Sequence, residues 1–226
     1  VKEPPVRQPI YTYAFLPTPT TSLNLPVGIA GELALIRHDA IAAVTEPELD
    51  FTAVETDDSR LLEAAIAHDL VMRDIFERTP LLPLQFGTRF QSQIALVAHL
   101  AAQQATYLDK LASLAGYVEY CCKLTPRQPS SCSHPEIPAV ADWSSPTPAQ
   151  VDWQQETEKQ DILQRISQSY PQSIVSAAPE SRVKRAYLLV PRQDAFKLEE
   201  QVFRWCTQLS RWQLELGQPL PPYHFV

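Results

Sequence analysis

The chain has 226 residues, 45% of them apolar and 20% charged, a composition that can bury a core and excludes a disordered polypeptide. Lys and Arg number 19 against 26 Asp and Glu, and the formal charge of −7 lacks the basic footprint of a nucleic-acid binder. No apolar run reaches the ~20 residues that cross a bilayer, and the length suits one or two domains, with two favoured.

Residues 1–9 are Pro-rich with no apolar signal core; they are read as an N-terminal tail on a cytoplasmic protein. Ile10 to Leu16 is rich in aromatic and β-branched residues and predicts a strand, with Tyr11, Tyr13 and Phe15 on one face. Pro17, Pro19 and Pro26 enforce a loop. Ile29–Ile36 and Ala40–Thr45 then read as a hairpin around the polar Arg37-His38-Asp39.

Asp57, Asp58 and Ser59 offer caps for a helix from about Ser59 to Arg78, whose periodic residues include Leu61, Leu62, Ala65, Ile66, Leu70, Ile75 and Phe76. After Pro80, the run Leu81–Phe86 closed by Gly87 predicts a buried strand, in which Pro83 needs an edge, a bulge or the strand start. Ser92 caps a second helix facing the core through Ile94, Val97, Ala101, Leu108 and Leu111, and Gly116 ends it.

A strand at Tyr117–Leu124 follows, then a Pro/Ser-rich loop at 126–148 too poor in apolar periodicity to pack. Helical spacing resumes over Asp152–Tyr170. Strands at Ser173–Ala177 and Val183–Val190 are joined around Pro179, a helix uses Phe196, Val202, Phe203, Cys206 and Leu209, and a last strand spans Trp212–Leu216. The fold class is therefore α+β with two domains: a mixed α+β domain over 10–115 and a ferredoxin-like βαββαβ domain over 116–218. The prolines of 219–226 make an extended tail, expected to dock between the domains.

Chemistry is hard to find in this sequence. There is no Gly-rich phosphate loop, dinucleotide fingerprint or nucleophile elbow, and Gly28 with Gly31 does not make an anion cradle. Cys121, Cys122, Cys132 and His134 lack zinc-ribbon spacing, so reduced thiols and no metal are expected. His68, beside Asp69, is the one candidate base. Its three- and four-residue neighbours Leu61, Ala65, Met72 and Ile75 place it at a packed face, which favours a hydrogen-bonded structural histidine over a catalytic one. No catalytic residue, cofactor or enzymatic activity is expected.

The segment His68–Phe90, HDLVMRDIFERTPLLPLQFGTRF, together with the strand Ala40–Val44 and the terminal Leu220-Pro-Pro-Tyr-His-Phe225, resembles the gas vesicle protein F and L family, nearer its F branch. The shared signature is His68, Leu82, Pro83, Leu84, Phe86, Gly87, Thr88, Pro221, Pro222 and Tyr223, read as structural. Gln85 stands where the family commonly has a basic residue, and Gln218 where a glycine usually precedes the first proline. The resemblance implies a two-domain α+β accessory protein of gas vesicle assembly, associated with the vesicle. It would contact the very apolar major shell protein and other accessory proteins. The moderate acidity fits a non-halophilic source such as a cyanobacterium.

An apolar shell subunit must be covered before assembly, and strand addition or an apolar patch would do so. Tyr11, Tyr13, Phe15, Tyr223 and Phe225 are the candidate partner-binding aromatics, set against the plainer reading that they fill cores. Two alternatives are carried: a ligand-sensing domain, by fold analogy, and a hydrolase or transferase using His68.

Overall fold

A computed structural model describes residues 9–127, 148–176 and 183–226. The N-terminal tail to residue 8, nearly all of the 126–148 loop with Cys132 and His134, and the connection through Pro179 lie outside those residues. Two compact units are present, Val1–Val118 with Leu220–Val226, and Glu119–Pro219. Both are mixed α+β with antiparallel strand pairs.

In the first unit, β1 (Ile10–Pro17), β2 (Ala34–His38), β3 (Ile41–Glu46) and β4 (Leu82–Pro83) run in the sheet order β2-β3-β1-β4, and β5 (Arg89–Phe90) also pairs with β1. Pro83 sits on edge strand β4, where its missing N–H leaves no gap in a ladder. The expected strand Leu81–Phe86 is cut to two residues because the chain turns away after Leu84, whose amide still donates to the Tyr13 carbonyl (2.9 Å): Thr88 donates to the Gln85 carbonyl (3.1 Å), and Gly87 takes φ 88°.

The predicted hairpin forms as β2 and β3, turning at Asp39 with φ 47°. Residues 29–33 are not strand. Gly28 donates to the Gly31 carbonyl (2.8 Å), so this segment is a tight loop closed by a Val27–Glu32 bridge. A register shift between Thr12 and Ala14 also gives the β1 aromatics different partners. Tyr13 stacks on His68, whereas Phe15 meets His99 and Tyr107.

A short helix absent from the expectations, α1 (Phe51–Glu55), precedes α2 (Asp58–Phe76). Asp57 caps α2 by accepting from Ser59 and Arg60 amides (2.9 and 3.2 Å), satisfying orphan N–H groups of the first turn. The face α2 buries is Ala64, His68, Val71, Met72, Ile75 and Phe76. Leu62, Ile66 and Leu70, expected in the core, are 64%, 54% and 60% exposed on the other side. The next helix, α3 (Gln93–Leu114), is capped by Ser92 and followed by Gly116 at φ 79°, as predicted. Of its expected core residues Leu111 is buried, Val97 and Leu108 are partly exposed, and Ile94 and Ala101 are exposed; Leu96, Leu100 and Leu114 complete the buried face.

The second unit runs β6 (Tyr117–Pro126), α4 (Pro148–Ser169), β7 (Ile174–Val175), β8 (Lys184–Pro191), a 3-10 turn at Arg192–Asp194, α5 (Ala195–Gln208) and β9 (Trp212–Leu216). Its sheet order is β7-β8-β6-β9. Tyr120, Cys122 and Leu124 alternate inward on β6, as do Ala186, Leu188 and Val190 on β8; Ile162, Ile166, Leu198 and Trp205 pack with them in the core. Val202 is buried on α5 as expected, but Phe196 and Phe203, assigned to the same face, are 74% and 70% exposed, and Leu198 and Trp205 take their place.

Candidate functional site

Two strand tyrosines organise the polar interior of the first unit. The Tyr11 ring stacks on Phe51 with centroids 4.9 Å apart, and its hydroxyl lies 2.9 Å from Nδ1 of His68. Nε2 of His68 faces the Leu84 carbonyl at 3.3 Å, an acceptor only, so Nε2 carries the proton and donates. Nδ1 therefore accepts from Tyr11, whose oxygen in turn accepts from the Gly87 amide at 3.3 Å. Burial pushes the imidazole down from 6.5 to about 4, against smaller opposing effects of the Leu84 carbonyl and Asp69. A neutral histidine with both nitrogens engaged and 3% exposure has no lone pair to offer a substrate, which removes the geometry a His68 base would need.

The second centre was not anticipated. Glu46, 1% exposed at the end of β3, accepts from the Tyr13 hydroxyl and from the Ile29 and Ala30 amides (2.8 and 2.7 Å). The loop from Gly28 to Gly31 is thus a backbone anion cradle after all, filled by the protein's own carboxylate. A Cβ on Gly28 would stand 2.4 Å from Glu46 Oε2, so glycine is required by space. Desolvation, with Glu46 adding to it, raises the Tyr13 phenol well above its ordinary value. No local signal in the sequence marks this role, because the partners of Glu46 lie 16, 17 and 33 residues away.

Tyr11, Tyr13 and Phe15 are 0%, 0% and 1% exposed, so the structure moves them from the candidate partner surface into the core. Among the signature residues, Leu82 and Pro83 are buried, Leu84 receives His68, Phe86 packs edge-on to His68 (5.5 Å), and Thr88 accepts the Thr12 amide at 3.0 Å. Gln85 is exposed and contributes its carbonyl to the turn, a role indifferent to the family's usual side chain.

The tail expected between domains groups with the first unit. Pro221 and Pro222 are buried, and the Tyr223 hydroxyl donates to Asp69 Oδ1 at 2.6 Å while Arg73 Nε donates to Oδ2 at 2.6 Å. Tyr223→Phe should cost about 1 kcal/mol in chemical denaturation, since one charge-assisted but half-exposed hydrogen bond is lost. An unchanged midpoint would show the tail is held by its prolines alone. Phe225 is partly exposed beside it.

Other surfaces stand out among the described residues. The α2 ridge of Leu62, Ile66 and Leu70 and the α5 pair Phe196 and Phe203 expose large apolar groups. In the second unit a groove of about 310 Å³ is lined by residues including Trp153, Asp161, Ile162, Arg165, Trp205 and Leu209. No group of His, Cys, Asp and Glu able to hold a metal, and no helix long and apolar enough to cross a membrane, occurs among the described residues. Cys121, Cys122 and Cys206 are free thiols; burial pushes Cys122 up to about 12, and Cys206 Sγ donates to the Leu214 carbonyl.

The architecture is that of a two-unit α+β protein in which His68 and Glu46 are held by partners within the first unit and helices α2 and α5 carry apolar side chains outward. The model of the gas vesicle synthesis protein GvpL/GvpF family matches residues 9–226, and the chain belongs to that family. Its fold is similar to the crystal structure of the gas vesicle protein GvpF from Anabaena sp. PCC7120, at 15% identity and a TM-score of 0.71, over 96% of this chain and 97% of that one. It is likewise similar to GvpF from Microcystis aeruginosa, at 18% identity and a TM-score of 0.69, covering 96% and 98% of the two chains. No curated protein sequence matches it significantly. Family membership gives the chain a role in gas vesicle formation.

Proposed function

We propose that this chain is an accessory protein that binds the apolar major shell protein and assists nucleation or growth of the gas-filled shell, without catalysis. The observation that carries the reading is the family match across residues 9–226. It is supported by apolar side chains turned outward on α2 and α5, where partner contact is the usual use of such groups. Other gas vesicle accessory proteins are further partners under this reading, and the place of action is the cytoplasm at the vesicle. The second unit is read as ferredoxin-like, because its βαββαβ order with strands arranged β7-β8-β6-β9 interleaves the two halves.

The test is capture of the shell protein, held soluble as a fusion, by the purified full chain. Retention above that of an unrelated acidic α+β protein is expected, and equal retention by both would count against the role. The groove between Trp153 and Trp205 gives the ligand-sensing alternative a physical place. A small molecule that raises the melting temperature in proportion to the logarithm of its concentration, and fails to do so after substitution of the exposed groove residue, Trp153→Ala, would favour that alternative.

A further inference from the structure

We propose that the outward face of α2 is a docking surface for an amphipathic partner helix whose apolar stripe is flanked by Lys or Arg. The proposal deepens the assembly reading and rests on it only for the identity of the partner. Leu62, Ile66 and Leu70 follow one another at four-residue steps, each more than half exposed. They form one ridge about 12 Å long at ~1.5 Å per residue. Single exposed leucines need no explanation, but three aligned on a solvent-facing helix form a seam of the kind into which a second helix packs.

Charge selects the occupant. Along α2 and its ends, Arg60, Arg73 and Arg78 are each paired with a carboxylate of the same segment, Asp57, Asp69 and Asp74. Among the described residues, the carboxylates of Asp58, Glu63 and Glu77 make no ion pair or side-chain hydrogen bond. At 100° per residue, Glu63 projects to one side of the ridge and Asp58 to the other, with Glu77 beyond its C-terminal end. The ridge is therefore an apolar line between uncompensated negative charges. A second copy would set these carboxylates against each other, and an anionic lipid surface would be repelled. A helix presenting apolar residues at three- and four-residue steps with basic flanks meets both features at once.

The tail contributes to the same face. Asp69, three residues beyond Ile66, is held by Tyr223 and Arg73 together, so its charge is neutralised and the margin of the ridge is fixed.

The test uses the full chain and two synthetic amphipathic peptides of about five helical turns with identical Leu stripes, one flanked by Lys and one by Glu. In a fluorescence-anisotropy titration the Lys-flanked peptide should bind about tenfold or more tightly than the Glu-flanked one. Leu62→Ser/Ile66→Ser/Leu70→Ser should weaken it by a similar factor with the circular dichroism spectrum unchanged. Asp58→Asn/Glu63→Gln should flatten the salt dependence. Equal binding of the two peptides, or full binding by the triple-serine chain, would overturn the proposal. So would a dimer, or sedimentation with phosphatidylglycerol vesicles, that disappears in the triple-serine chain, because the ridge would then have another occupant. If the peptides behave as stated but the shell protein is not captured, the surface stands and the assembly reading falls.

Discussion

Gly28→Ala is expected to lower the unfolding free energy by about 3 kcal/mol, the upper end of what over-packing costs. The added Cβ would lie 2.4 and 2.6 Å from the Glu46 carboxyl and 2.8 Å from Leu33 Cδ2. Leu33 can rotate aside, but the carboxyl cannot move without giving up the Tyr13 hydroxyl and the Ile29 and Ala30 amides that hold it. Glu46→Ala should cost about as much by the opposite route, since it leaves the fully buried Tyr13 phenol and the Ala30 amide without their acceptor, while the Ile29 amide keeps the Tyr13 oxygen at 3.0 Å. Because both substitutions disable one arrangement, the double variant should be little worse than Glu46→Ala alone. A double-mutant cycle in urea measures this directly, and additive losses would show that Gly28 and Glu46 act separately.

The second large effect is a pH dependence centred on His68. Its pKa falls from 6.5 to about 4 on folding, chiefly through burial, so between these values the unfolded chain binds the extra proton. Stability from this group is fully present above pH 6.5 and is lost as pH falls toward 4. At ~1.36 kcal/mol per pH unit the loss amounts to about 3 kcal/mol by pH 4. The cause is burial: at 3% exposure a charged imidazole loses its hydration, and the Leu84 carbonyl and Asp69 offset only part of that cost. His68→Gln can still accept from Tyr11 and donate to the Leu84 carbonyl but does not titrate, so it should gain stability relative to wild type by up to about 3 kcal/mol as pH falls from 7 to 4. Parallel pH profiles of the two proteins would refute this account of the network.

How far such features can be read in advance depends on whether their causes are local. Asp57 and Ser92 were legible as caps because a cap acts within three residues. The order of elements was legible because prolines and glycines punctuate it. Which side of α2 faces the core was not, since Leu62, Ile66 and Leu70 supply an apolar line on one side while Ala64, Val71, Met72 and Ile75 supply another. Periodicity finds the helix in such a sequence but cannot choose between two apolar faces. The same ambiguity hid the exposure of Phe196, Phe203 and Ile94. Strand β4 was overestimated because the turn from Gln85 to Thr88, with Gly87 at positive φ, begins inside an apolar run. Glu46 was invisible for another reason: its meaning lies in a loop sixteen residues upstream, and only the folded sheet brings them together. The family signature was legible as a pattern, yet its physical content, a histidine clamped by a tyrosine and a carbonyl, arises only in the fold, which brings Tyr11 and Leu84 to His68 from 57 and 16 residues away.

Under the proposed function this chain acts through its surface and transforms no substrate. The most direct measurement is vesicle yield, read as pressure-sensitive turbidity, in cells lacking the native gene and complemented with single variants at matched expression. Complementation by His68→Gln together with failure of Leu62→Ser/Ile66→Ser/Leu70→Ser is the result the account predicts. Loss of vesicles with a stably folded His68→Gln chain, alongside full yield from the triple-serine chain, would contradict it.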